Sequence, residues 1–216
     1  MSNYEYIISS LPFLTTDYSY DEGKDFDYVI SEIRRDLSDK DAQALDFLLE
    51  GFRPDSLGPD FYARALRHPE KFLREYFRFD LNLRNAKVRF LNQELGRDPD
   101  MDVVSGKGDD MEDMDLDIDL YRFRPGEFEE AVKVDAVLAR TDLLSREKGL
   151  DDITWEKVDS LGLFHYFDLT SVLSYVAKLH IVDRWLSLDE EAGRELFRKL
   201  VQEVRGTFKG VDFKDK

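Results

Sequence analysis

Leu169-Thr170-Ser171-Val172-Leu173-Ser174-Tyr175-Val176-Ala177-Lys178-Leu179-His180-Ile181-Val182-Asp183-Arg184-Trp185-Leu186 is the stretch whose reading decides the fold class. Wound at 3.6 residues per turn, Val172, Leu173, Tyr175, Val176, Leu179, Val182 and Trp185 cover almost the whole circumference. A helix that is apolar nearly all round belongs in the middle of a bundle. The expectation is therefore a mainly α protein, a bundle of about seven to eight helices.

Toward the C-terminus, Ser187-x-x-Glu190 reads as a capping box opening a helix to about residue 205, closed by Gly206, with a frayed tail over 208–216. On the other side, residues 152–161 read as a short helix ending at Gly162. Residues 127–148, after Arg124-Pro125-Gly126, read as one longer helix that stops at Gly149. Its expected inner face is Ala131, Val134, Leu138, Thr141 and Leu144. Further upstream a long helix is expected over 70–95, closed by Gly96, with Phe72, Leu73, Tyr76, Phe77, Leu81, Val88, Leu91 and Leu95 among its apolar residues. Residues 60–67 form another, punctuated by His68-Pro69. Ser38 caps a helix striped by Ala42, Leu45, Leu49 and Phe52, which Gly51 and Pro54 stop. Residues 25–37 repeat Phe26, Val29, Ile30, Ile33 and Leu37 at helical spacing. Residues 18–23 read as a turn, and 4–14 as a strand or a first helical turn.

Between the two helical halves the composition changes abruptly. Residues 97–120 hold nine Asp and one Glu against Arg97 and Lys107, a net charge of −8. They read as a solvated acidic loop or linker between an N-terminal lobe, 1–96, and a C-terminal lobe, 121–216, unless the two pack as one domain. Phe167-Asp168-Leu169-Thr170 echoes Phe79-Asp80-Leu81-Asn82, one on each side of the acidic stretch, which suits two related lobes. The alternation Asp113-Met114-Asp115-Leu116-Asp117-Ile118-Asp119-Leu120 is a strand signal and suggests a hairpin-like accessory.

The chain has 216 residues, enough to bury roughly 70% of its extended surface without staples. It has no cysteine, which removes disulfides, a thiolate nucleophile and a thiolate zinc site. Its 47 acidic and 31 basic residues give a formal charge of −16. Such a chain is repelled by phosphate, so neither nucleic acid nor an anionic membrane surface is an expected partner. The opening Met1-Ser2-Asn3-Tyr4-Glu5-Tyr6-Ile7-Ile8 lacks the positive region of a secretory signal, and no segment approaches the ~20 apolar residues of a membrane span. The expected location is cytoplasmic, with no direct span.

A search for chemistry finds no motif. A calcium loop starting at Asp113 would need Gly and Glu where Ile118 and Arg124 stand, and one starting at Asp98 meets Val103 and Asp109. His68, His165 and His180 form no H-x-x-x-H pair, and the spacing of His180 allows a bond to Asp183 at i,i+3, so local pairing or packing is its expected role. Gly106-Lys107-Gly108 lacks the preceding glycine of a phosphate loop and is followed by Asp109 and Asp110. Paired carboxylates arise by chance among so many acids, so a carboxylate- and metal-dependent hydrolase is an alternative without a specific signal. An acidic module that occupies basic proteins is another. No catalytic, metal or cofactor residue is assigned, and the expectation is not an enzyme. Phe79-Asp80-Leu81-Asn82-Leu83-Arg84-Asn85-Ala86-Lys87 is unusual for a helix. Two asparagines beside Asp80 signal either a break, a buried hydrogen-bond cluster or a solvated face.

Tyr4-x-Tyr6-Ile7-Ile8-Ser9-Ser10-Leu11-Pro12-Phe13-Leu14, together with the stretch over 79–87, resembles a bacterial family of unknown function encoded among V-type ATP synthase genes. More distantly, 79–87 is similar to the Asp/Asn-bearing helix of the C-type stalk component of V/A-type ATPases, the d-type in eukaryotes. Tyr175-Val176-Ala177-Lys178 and Asp183-Arg184 are similar to the last helix of that same component. The chain is substantially shorter, and has His180 where that helix carries an acidic residue. The resemblance implies a non-catalytic subunit or assembly factor of a V-type ATPase, coupling the central shaft to the membrane rotor ring. It singles out Asp80, Asn82, Asn85, Tyr175, Lys178, Asp183, Arg184 and Trp185 as structural or interface residues.

Overall fold

The computed structural model describes residues 3–16, 25–104 and 128–188. Among them are eight α-helices and no strand: α1 (Tyr4–Ser10), α2 (Phe26–Asp36), α3 (Asp39–Glu50), α4 (Pro59–Leu66), α5 (Lys71–Glu94), α6 (Ala131–Leu138), α7 (Leu143–Gly162) and α8 (Leu169–Leu186). A short 3₁₀ turn, Pro54–Ser56, links α3 to α4. The described residues thus form the mainly α bundle of seven to eight helices that periodicity predicts.

The helix that is apolar all round takes the middle. α8 packs against α1, α2, α3, α5 and α7. Val172, Leu173, Val176, Leu179 and Val182 are completely inaccessible to solvent, and full burial of each stabilises the fold by about 1.5–3 kcal/mol. The main core joins Val172, Leu173, Val176 and Leu179 to Ile7 of α1, Ile33 of α2, Leu45 and Leu48 of α3, Phe61 and Tyr62 of α4, Leu73 and Phe77 of α5, and Val158 of α7. A second cluster forms where the outer half of α5 meets α6 and α7, from Phe79, Leu83, Phe128, Val134, Val137, Leu138, Leu150 and Ile153. Core residues therefore come from both sides of the acidic stretch.

Local chemistry sets the helix ends. Asn3, Asp25, Ser38 and Asp142 each accept a bond from the backbone of the first turn they cap. At α8, Asp168 and Ser171 close a reciprocal capping box: Ser171 N–H donates to Asp168 Oδ1 at 3.0 Å and Asp168 N–H donates to Ser171 Oγ at 3.2 Å. α5 ends where Gly96 takes a left-handed φ of 64°, which costs glycine little.

Several expectations need correcting. Of the two readings of residues 4–14, the helical one holds and extends past a first turn, because Tyr4–Ser10 is a capped helix of seven residues. The buried stripe of α3 is Ala44, Leu45 and Leu48, so Ala42, Leu49 and Phe52 lie at its margins. The single helix over 127–148 is two helices, broken at Ala139–Asp142, where the Asp142 cap restarts the chain as α7. Thr141 and Leu144 are exposed, and Val137 joins Val134 and Leu138 inside. Gly149 stops nothing: it is buried within α7 where a Cβ would sit 2.7 Å from Arg140 Nη1 and 2.8 Å from Val137 Cγ1. Its role is close approach of α6. The asparagines do not break α5. The turn over 18–23, the alternation over 113–120, the helix beyond Leu188 and the tail over 208–216 lie outside the described residues, as do 105–120 of the acidic stretch.

Candidate functional site

Two concave sites stand out, and the helix spacing explains each. The first is a polar cleft of about 510 Å³ between α5, α7, α8 and the α3–α4 link. α5 contributes Asp80, Arg84 and Lys87 at i, i+4 and i+7, one face of a helix. α7 contributes Glu147, Asp151 and Thr154 at the same spacing, and α8 contributes His180 and Arg184 at i and i+4. Asp80 Oδ2 accepts from the Tyr62 hydroxyl at 2.6 Å and from Arg84 Nε at 2.8 Å. Lys87 Nζ approaches Glu147 at 3.4 Å. Arg184 spans two acids, bonding Asp151 through Nη2 and facing Glu147 at 3.8 Å through Nη1. Trp185 Nε1 donates to the same Asp151 oxygen at 2.6 Å.

Burial tunes these groups. It pushes the Asp151 carboxyl above its ordinary range, against the opposing pull of Arg184 and of the Trp185 bond. It raises the Tyr62 hydroxyl well above its usual value, with Asp80 adding to the effect. His180 is lowered to about 4, first by burial and then by Arg184 and Arg84. Its ring stacks on Phe52 with centroids 4.0 Å apart and meets the edge of Phe26, so of the pairing and packing that its position allowed, packing is the one seen. Asp183 instead faces Asp25 and Asp27, and burial together with those two carboxylates raises its pKa. Asn85 is the buried hydrogen-bond cluster of α5: its amide donates to Val104 O at 3.0 Å and accepts from Val104 N–H at 3.1 Å. Asn92, which sequence did not single out, repeats the device with Pro99 O and Met101 O. Of the four carboxylates that line the cleft, Asp80, Glu147 and Asp151 pair with its three cations, Arg84, Lys87 and Arg184, and the Lys87 and Arg184 pairs fasten α5 and α8 to α7.

The second site is a groove of about 560 Å³ between residues 11–14 and the α7–α8 corner. Tyr175 donates its hydroxyl to Pro12 O at 2.9 Å, fixing that segment against α8. Phe13 then projects outward and is 80% exposed. At the corner, Leu163, Phe164, Tyr166 and Phe167 are 60%, 83%, 68% and 57% exposed. Lys178 crosses the floor, ion-paired to Asp159 and 5.2 Å from the Trp155 ring centroid. Beneath the corner, Gly162 lies so close to α8 that a Cβ would come within 2.9 Å of Ser174 Oγ. That hydroxyl is buried without a hydrogen-bond partner.

Of the eight residues chosen from sequence, Asp80, Asn85 and Arg184 line the cleft, with Trp185 holding Asp151 from behind. Tyr175 and Lys178 line the groove. Asn82 opens instead into a cavity of about 170 Å³ beside Glu130 and Lys157. Sequence reasoning missed Glu147 and Asp151, because a helix boundary placed at Gly149 separated them. It also missed the corner, although four large apolar residues in five positions after Gly162, with no helical period, were a readable signal. Among the described residues no group of three or more His, Asp or Glu is placed to hold a metal ion, and no helix is long and apolar enough to cross a membrane.

Fold and sites together define, over the described residues, a helical bundle fastened by a cleft of paired charges and bearing a groove rimmed by exposed aromatic residues. Residues 53–207 match the family described as "Protein of unknown function (DUF2764)", and the chain belongs to that family. No curated protein and no solved structure matches it significantly.

Proposed function

We propose that this protein is a non-catalytic subunit or assembly factor of a V-type ATPase, linking the central shaft to the membrane rotor ring in the manner of the C-type stalk component. The likeness of 4–14 and 79–87 to a family of unknown function encoded among V-type ATP synthase genes, and the more distant likeness of 79–87 and the α8 residues to the C-type stalk component, motivate the choice of complex. The observation that supports a binding role is the run of large, more than half exposed residues at the corner, Leu163, Phe164, Tyr166 and Phe167, since clustered exposed apolar side chains mark interaction sites. The mutual pairing of the cleft's charges supports the same view. Asp80, Asp151 and Glu147 each hold a cation in place, a task that fixes helix geometry. On this reading the chain works in the cytoplasm, peripheral to the membrane through its complex, with protein partners and no cofactor.

The test is affinity purification of the full chain from its native cells, with the eluate probed for ATPase shaft and rotor proteins, followed by reconstitution with the purified shaft protein. Stoichiometric recovery of those proteins is the expected result. Their absence from both experiments overturns the assignment to this complex.

A further inference from the structure

The groove between residues 11–14 and the α7–α8 corner continues toward the other end of α8. Trp155, in its lining, forms an apolar cluster with Ile181 and Val182, against which Leu14 and Trp185 pack. Ser171, Tyr175 and Lys178 of the lining are followed by Val182 and Trp185 of that cluster at steps of three and four, so all five share one face of α8. That face leads from the groove to the point where α8 stops. There Leu186 and Leu188 are both more than half exposed.

Reach selects the occupant. The chain after Leu188 lies outside the described residues, and its sequence carries Leu196, Leu200 and Val204 at four-residue steps beside Phe197 and Val201, the apolar stripe of a helix. At about 1.5 Å per residue, the α8 part of the lining, from Lys178 back to Ser171, lies about 12 to 22 Å behind Leu186. A helix that turns back at Leu188 carries Leu196 about 12 Å and Val204 about 24 Å in that direction. The two spans coincide. A short tether also holds such a segment near the groove at an effective concentration of about a millimolar, which a free competitor must exceed. We propose that residues 190–205 of this chain run antiparallel to α8 and seat the stripe of Leu196, Leu200 and Val204 in the groove. The inference does not rest on the ATPase reading. Phe164 and Phe167 stand outside the lining and remain exposed for a partner.

The chain has no cysteine, so introduced thiols report on single positions. In the full chain, Leu163→Cys paired with Val204→Cys should close a disulfide within one molecule under mild oxidation. It should do so at least about tenfold faster than Leu144→Cys paired with Val204→Cys, because the bond forms only where the two Cα atoms come close. Leu144 is exposed like Leu163 but sits at the opposite end of α7. A second measurement follows maleimide labelling of Leu163→Cys alone. Adding Leu196→Asp and Leu200→Asp should speed that labelling at least about tenfold, since carboxylates in the stripe drive it out of an apolar seat. Equal trapping of the two cysteine pairs overturns the proposal. So does a labelling rate that the two aspartates leave unchanged in a chain that still melts cooperatively. A disulfide that joins two chains on a denaturing gel also overturns it, because the segment then sits on a second copy. Where the aspartates disturb folding, the comparison of cysteine pairs decides alone.

Discussion

Asp151 takes a hydrogen bond from Trp185 and an ion pair from Arg184, and only 13% of its side chain is exposed. Removing it deletes the bond from the half-buried indole and the ion pair with Arg184. A lost bond to a charged acceptor costs about 1–3 kcal/mol, and the Arg184 contribution is reduced because that side chain is 42% exposed to water. Asp151→Ala should therefore lower stability by about 1–2 kcal/mol, read as a lower urea midpoint with an unchanged slope. His180 gives a pH signature. The folded chain keeps it neutral down to about pH 4, whereas the unfolded chain takes up that proton near pH 6.5. Stability should be full above about pH 6.5 and fall as pH drops toward about 4, by at most about 1.4 kcal/mol per pH unit for one such group. Burial lowers His68 in the same sense, so His180→Phe, which preserves the stack on Phe52, should flatten the slope between about pH 6.5 and 5 without abolishing it. Urea titrations at stepped pH measure this directly.

Glycine positions separate two kinds of constraint between elements. At Gly51, ending α3, a Cβ would overlap the Phe77 ring and come within 2.8 Å of Phe61, while the backbone is an ordinary right-handed one. Gly51→Ala should cost about 1–3 kcal/mol through overpacking of rings that cannot withdraw. At Gly96 the surroundings are open and the constraint is the left-handed φ, so Gly96→Ala should cost about 1 kcal/mol through the backbone alone. Chemical denaturation of both variants checks the contrast. The same distinction explains how much of the fold is legible in the sequence. Gly96 and the helix it ends are readable because a stop signal is local, and α8 is readable because its pattern lies within one segment. Gly149 looks like another stop, yet its reason is Val137 on a neighbouring helix, which no local window contains. With that boundary misplaced, the i,i+4 pair Glu147 and Asp151 does not show as one face of α7. Asn85 is out of character for a helix on sequence alone, but its partner, the Val104 backbone, lies 19 positions away.

Across the whole molecule, the surface proposed for binding lies apart from the cleft that fastens the helices. The cleft fastens α5, α7 and α8 from within, and the corner residues contribute little to that core because they face solvent. Substitutions at Phe164 and Tyr166 should thus leave the melting temperature within about a degree or two while abolishing association, as expected of exposed positions. Asp151→Ala should do the reverse at a temperature where it remains folded. Differential scanning calorimetry beside the pull-down distinguishes them. The contact between the Tyr175 hydroxyl and Pro12 O spans 163 positions, and the helix in the centre of the bundle is the last of the eight to be made. On the ribosome, α1 to α5 must emerge with their inner faces still awaiting α8. Nascent chains arrested before Leu169 should be cut readily by protease, and release of a few dozen further residues should protect them. Until then the apolar faces of the earlier helices stay open to other chains, a hazard that follows from placing the central helix after the seven others described.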